Sequence, residues 1–310
     1  MSMREVLRDV LRGENLSALG YLAGWRLVRV LPLPVARRLF DAGADLASRR
    51  GTGMPMLRAN LARVVGADNV TDQLIREATR SYARYWMEAF RLPSIAGDPD
   101  LSRVLIEGLV GREHLDASLE SGRGVILTLP HTGNWDMAGV LLVAYHGQFT
   151  TVAERVRPEA LFNAFVEFRE SLGFEVIPHT GGDTPPYERL KTVLESGGVV
   201  CLLGERDLRH TGVRNTFFGE ETSMPAGPAR LAMETGACLH VVHSWFEGEQ
   251  WGVSVSPELE VDTLSGTVQR IANLFATNIQ EHPADWHMLQ PLWFSDLDPG
   301  RGPNGPRAED

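Results

Sequence analysis

His131 and Asp136 stand five residues apart, just beyond the apolar run Val125 to Leu129 and Pro130. A carboxylate held on one imidazole nitrogen fixes the tautomer and leaves the other nitrogen able to take a proton from a hydroxyl. Such a pair activates an alcohol for attack on a carbonyl. On one continuous helix that offset puts the two side chains on different faces, so the pairing requires His131 in a loop and Asp136 in the first turn of the helix that follows. A second apolar run, Val199 to Leu203, ends in the same way, in Gly204-Glu205-Arg206-Asp207. Glycine lets the backbone come close to a ligand, and Glu205 is placed to orient the histidine, hold acceptor hydroxyls or order a water. An ion pair with Arg206 or Arg209 is the plainer use of Glu205.

These corners need strands beneath them. Val125 to Leu129 suits a strand buried on both faces, and Pro130 cannot donate to a ladder beyond it. Thr132 or Asn134 can cap the next helix, whose apolar body is Met137 to Ala144. The C-terminal edge of such strands is where open α/β sheets bind ligands. From Val104 onward short apolar runs alternate with amphipathic helices, which predicts an α/β fold with a central, mostly parallel sheet flanked by helices. The expected strands are Val104–Ile106, Val125–Leu127, Thr150–Ala153, Glu175–Ile177 and Val199–Leu203, then Leu239–His243 and Gly252–Val255 as an antiparallel edge. Helices are expected around Gly111–Leu119 and Pro158–Leu172, before Val199, and over Gly266–Ile279.

Residues 1–97 read as a helical N-terminal segment packing on the main domain, residues 98–296 as the α/β domain, and residues 297–310 as a disordered tail. Leu16 to Val30 and Val35 to Ser48 have amphipathic spacing with arginine flanks, which suits a membrane interface or the cover of a core. Thr71 to Leu92 carries Tyr82, Tyr85, Trp86 and Phe90, a stripe read as core packing. The formal charge of −10 over 310 residues argues against a nucleic-acid partner, although the first fifty residues hold an arginine excess. No signal peptide or membrane span is expected. Cys201 and Cys238 lie in apolar runs as buried thiols, which implies a reducing, cytoplasmic setting. His240 and His243, three apart in a strand, point to opposite faces and make a poor metal pair, so no metal is expected.

His131-x4-Asp136 after an apolar strand resembles the histidine/aspartate block of glycerolipid and lipid A acyltransferases. Gly212 to Gly219, followed by Ser223 to Ala232, resembles the stretch after the acidic block in the lipid A and phosphatidylinositol mannoside acyltransferases. Glu154-Arg155-Val156-Arg157, with Phe162, Phe165, Phe168 and Arg169, sits where that family carries its arginine-containing block. The resemblance covers residues 104 to 293 and implies a glycerolipid acyltransferase-like fold. It further implies transfer of a palmitoyl-type chain from acyl-CoA to a mannose 6-hydroxyl of a phosphatidylinositol mannoside, peripherally at the cytoplasmic face of the inner membrane. No cofactor beyond the co-substrate is implied; the partners are acyl-CoA, an anionic glycolipid and the membrane surface.

On that footing His131, Asp136 and Glu205 are the catalytic candidates. Arg169, Glu154, Arg206, Asp207, Phe217, Phe218, Thr132 and Asn134 are the substrate-binding ones. The arginines would hold phosphates, with a surface role equally open for Arg169; the two Phe rings would wall an acyl groove or simply pack in the core. Gly204-Glu205-Arg206-Asp207 replaces the Glu-Gly-Thr block of the glycerophosphate branch, which argues against a glycerol phosphate acceptor. The rival readings are a lauroyl- or myristoyl-type lipid A acyltransferase, an acyl-CoA thioesterase and a membrane-surface adaptor. A serine hydrolase is set aside because no Gly-x-Ser-x-Gly elbow occurs.

Overall fold

The computed structural model describes residues 24–155, 159–181, 185–207 and 211–297. The helix expected over Leu16–Val30 is seen as helix from residue 24 onward, and its earlier part lies outside the described residues, as do residues 298–310 of the tail and Arg209. Helices α1 (Leu33–Ala47), α2 (Pro55–Val65), α3 (Asp72–Arg91) and α4 (Pro99–Glu107) precede the sheet. Then come β1 (Leu109–Val110), α5 (Arg112–Ser121), β2 (Val125–Leu129), α6 (Trp135–His146), β3 (Phe149–Ala153), α7 (Glu159–Glu170) and β4 (Phe174–Pro178). The chain continues through α8 (Pro186–Glu195), β5 (Val199–Leu203), the hairpin β6 (Val213–Phe217) and β7 (Glu220–Met224), α9 (Gly227–Thr235), β8 (Cys238–Glu247), β9 (Gln250–Val255) and α10 (Leu264–Glu281).

Seven strands form one sheet in the order β1-β9-β8-β2-β5-β3-β4, parallel throughout except where β8 meets β9. The α/β expectation and its antiparallel pair hold. Val104-Leu105-Ile106 does not form a strand; it lies in α4, which Asp98 caps through its side chain and Pro99 opens. A helix start signal with Leu101 and Leu105 one turn apart prevails there over three β-prone residues, leaving Leu105 buried and Val104 41% exposed. The first strand is instead the two-residue β1.

Side chains alternate across β2, so Ile126 joins one core layer and Val125, Leu127 and Leu129 the other. The first layer is closed by α2, α8, α9 and α10, the second by α4, α5, α6 and α7. Helix α3 serves both: Ile75 and Ala78 pack into the first and Tyr85, Ala89 and Phe90 into the second. Its N-cap is Thr71, whose hydroxyl accepts from the Leu74 amide. Among the described residues no helix is long and apolar enough to cross a membrane. Leu33, Val35, Leu39 and Leu46 of α1 nevertheless lie exposed.

The loop between β2 and α6 is pinned from outside. The Gly133 amide donates to the Asp285 carbonyl at 2.9 Å and the His287 amide to the His131 carbonyl at 2.8 Å, with Thr132 bridged to Trp286 between them. Gly133 has φ +53°, and a Cβ there would lie 2.6 Å from the Ser244 carbonyl carbon. Gly133→Ala is expected to lose the ~1–2 kcal/mol of a left-handed non-glycine residue and more from the backbone clash. Urea unfolding measures it; an unchanged midpoint would mean that the loop relaxes freely.

Candidate active site

Strands β2 and β5 pair in parallel from Val125 with Val199 to Leu129 with Leu203. The same offset of 74 residues carries past the strand ends and sets His131 beside Glu205. Gly204 keeps the strands close there: its amide donates to the Leu129 carbonyl at 2.9 Å, and a Cβ would stand 2.4 Å from the Thr128 hydroxyl. Glu205 Oε1 then accepts from the His131 backbone amide at 2.6 Å and faces His131 Nδ1 at 2.7 Å. An ionised carboxylate is an acceptor only, so Nδ1 carries the proton and Nε2 is the basic nitrogen.

The Glu205 side chain is fully buried, whereas that of His131 is 22% exposed. Burial alone would push the Glu205 carboxyl up. The charge of His131 and the hydrogen bonds from its ring and backbone outweigh that, and hold Glu205 below its ordinary value.

Asp136 is not the partner of His131. Its carboxylate accepts from the Tyr85 hydroxyl of α3 at 2.9 Å and from Arg169 Nε of α7 at 2.8 Å. Helix α6 starts at Trp135, which turns Asp136 into the layer where Arg169 needs a counter-charge. Burial opposes the guanidinium's charge, but Asp136 and Tyr85 prevail and hold Arg169 above its ordinary value. The Tyr85 hydroxyl is pushed well up, by burial first and by Asp136 next.

The remaining candidates separate into groups. Asn134 caps α6, its Oδ1 accepting from the Met137 amide at 3.0 Å, while its Nδ2 donates to the buried Glu88 at 2.8 Å. Thr132 is buried with its hydroxyl against His243 Nδ1. Both were expected to touch substrate; both are enclosed and hold the loop instead. Phe217 is core, stacked on Trp293, and Phe218 takes φ +50° in the turn between β6 and β7, so neither ring walls the space at His131. Asp207 fastens the hairpin through the Gly212 amide and the Ser223 hydroxyl, both at 2.7 Å. Glu154 and Arg206 lie beside His131.

Two clefts meet at His131. One is walled by Tyr82, Trp86, Trp135, Phe165, Arg169 and His287, the other by Tyr187, Arg206, Asp207, Arg230 and the start of α9. A third space, apolar and beneath α6, runs across the sheet from Phe149 and Phe174 to Val253 and Val255. At its mouth Trp135, Arg169 and Leu203 are shared with the first cleft. Ala138 and Gly139 make the room on the helix side. The aromatic stripe of α3 is therefore only partly core: Tyr82 and Trp86 face a cleft, and Tyr85 holds Asp136. Sequence spacing alone missed Tyr85, Trp135 and Glu88; Trp135 lies inside the motif and Tyr85 in the aromatic stripe, and both were hidden among residues that usually pack in cores.

The model of the bacterial lipid A biosynthesis acyltransferase family matches residues 13–295. The chain belongs to that family. This acyltransferase is 55% identical over 292 residues to the phosphatidylinositol mannoside acyltransferase of Mycolicibacterium smegmatis, covering 92% of this chain and 94% of that protein. It is 53% identical over 287 residues to the protein of the same name from Mycobacterium tuberculosis, covering 91% and 90%.

If Glu205 fixes the tautomer of the acyltransferase's histidine, Glu205→Gln is expected to lower kcat by about 10²- to 10⁴-fold. The wild-type carboxylate stabilises the fold above its ordinary value of 4.5 and loses that contribution as pH falls through its lower folded value. Chemical unfolding across the acid range should therefore show a steeper slope in the wild type than in the Gln variant, the rest coming from other paired carboxylates such as Asp45 and Asp262. Equal slopes would mean that the pair contributes nothing.

Proposed function

We propose that the protein transfers a palmitoyl-type chain from acyl-CoA to a mannose 6-hydroxyl of a phosphatidylinositol mannoside. The observation that carries this reading is the meeting of two clefts at a histidine whose tautomer a buried carboxylate holds, with an apolar cavity opening into one of them past Trp135, Arg169 and Leu203. The names of the relatives support the acceptor. In this reading His131 Nε2 takes the proton of the sugar hydroxyl as the oxygen attacks the thioester carbonyl, and Glu205 stabilises the imidazolium that forms. The proton then goes to the departing thiolate of CoA. No acyl-enzyme is required.

The acyl chain occupies the apolar cavity, where each buried methylene contributes about 0.8 kcal/mol. Asp136 acts from a distance: it holds Arg169 at the cavity mouth, where the guanidinium faces the cleft as well. Arg206 and Glu154, which border both clefts, are the contacts for the donor's phosphates and the acceptor's hydroxyls.

Protein and lipid meet through α1 and the helical residues 24–30 before it. Leu27 and Val30 lie 58% and 77% exposed, and Leu39 and Leu46 lie 57% and 82% exposed, with Arg26, Arg29, Arg37 and Arg38 interspersed. That pattern suits peripheral contact with an anionic leaflet at the cytoplasmic face. Leu39→Asp with Leu46→Asp should reduce sedimentation with anionic vesicles while leaving the unfolding midpoint in place. Undiminished binding would move the contact elsewhere.

The deciding assay follows palmitoyl-CoA consumption with and without a phosphatidylinositol mannoside, resolving free CoA, free fatty acid and acylated lipid. Acylated glycolipid that is lost in His131→Ala is the expected outcome, with a fall of at least about 10²-fold. Free acid formed regardless of acceptor would mean a thioesterase, and no turnover at all an adaptor.

A further inference from the structure

Trp135 opens α6, four residues after His131. Its ring lies on Tyr85 with centroids 3.8 Å apart and meets His131 at 5.3 Å, the two planes inclined by 79°. It borders both the apolar cavity and the cleft at His131, so it stands where an acyl chain would give way to its thioester.

Its indole Nε1 is buried and has no hydrogen-bond partner among the described residues. Three other indoles are satisfied: Trp25 donates to the Phe90 carbonyl, Trp251 to Glu88 and Trp293 to the Phe217 carbonyl. Trp286 is also unpartnered, but it packs against Phe217, Phe218 and Trp293 in the opposite core layer. An unmade bond from a buried donor costs about 1–3 kcal/mol. The cost at Trp135 is held in place by the Asn134 cap behind it and by Tyr85, which is itself fixed on Asp136.

An unpartnered N–H on a ring packed beside the base is a donor that a charge developing on a carbonyl oxygen can use once the substrate's entry brings the two together. Building on the acyl-transfer reading, we propose that Trp135 Nε1–H donates to the thioester carbonyl oxygen and stabilises the oxyanion. As the sugar oxygen bonds to the carbonyl carbon, its proton passes to His131 Nε2 and the C=O π pair moves onto the oxygen facing the indole. When that pair returns, the C–S bond breaks, and the thiolate takes the proton from His131. Ester and CoA thiol leave, and both side chains return to their starting states.

The test replaces Trp135 by Phe, which keeps an aromatic wall, and by 3-benzothienylalanine, which keeps the bicyclic shape and puts sulfur in place of N–H. Transfer from palmitoyl-CoA to a phosphatidylinositol mannoside is followed beside the wild type. Both variants should lose about 10²-fold in kcat, with the KM for palmitoyl-CoA changed by less than about threefold. The shape of the pH–rate profile should stay as it is, because the base remains. A benzothienylalanine variant within about threefold of the wild-type kcat overturns the proposal, even where the Phe variant is slow or unfolded, since shape and not the N–H would then matter. No transfer by the wild type overturns the acyl-transfer reading and this proposal with it.

Discussion

The parallel, in-register pairing of β2 with β5 is the constraint on which the site rests. Both strands are interior, β2 lying between β8 and β5, so apart from Thr128 they carry apolar side chains until the ladder ends. The chain leaving β2 passes to α6 in one core layer, and the chain leaving β5 passes through the hairpin to α9 in the other. Neighbouring strands that depart to opposite faces leave an uncovered corner between them, the place where open α/β sheets take ligands. His131 and Glu205 occupy that corner. A slip of one residue between the strands would keep both residues and destroy the pair.

Two buried carboxylates then serve different ends. Glu205 is matched to an imidazole, which on the acyl-transfer reading changes charge during turnover, whereas Asp136 is matched to a guanidinium that does not. Removing one member of a buried ion pair typically costs about 3–5 kcal/mol, because the other charge is left uncompensated. Loss of the Asp136 carboxylate would thus leave Arg169 unpaired at the cavity mouth and would free the Tyr85 hydroxyl. An inactive Asp136 variant is therefore no sign of contact with His131.

The sheet was legible because its strands are short apolar runs with clear stops, and β2, β3, β4 and β5 appear close to where the pattern puts them. Val104–Ile106 misled because β propensity is weak over three residues and the start signal lay upstream, at Asp98-Pro99. Within the site, His131 could be read as a loop residue at a strand edge, but the partner expected for it, Asp136, is not the one it has. Asp136 was near in sequence; Glu205 is brought near only by strand register, a long-range property that local pattern does not carry. Thr132 and Asn134 looked like ligand contacts because capping and binding use the same side chains. Tyr82 and Trp86 looked like core because an aromatic on a helix gives no sign of whether its face meets packing or a cleft.

The site also bears on how a thioester would be attacked. Cys201 lies on β5 in the wall of the apolar cavity, the one thiol among the described residues that faces it. Burial pushes that thiol far above its ordinary value, which keeps it neutral and a poor nucleophile. The Nδ1 of His131, meanwhile, is committed to Glu205, so only Nε2 can accept a proton. An acyl-enzyme would need a hydroxyl or thiol held against that nitrogen, as in a nucleophile–base pair. Among the described residues no side-chain hydroxyl or thiol is hydrogen-bonded to His131 Nε2, and the ring lies against the indole of Trp135. On the acyl-transfer reading the substrate's own hydroxyl is therefore the nucleophile, and the acceptor must be seated beside the donor before any bond changes. Bringing both lipids together at one histidine explains why two clefts, rather than one, open there.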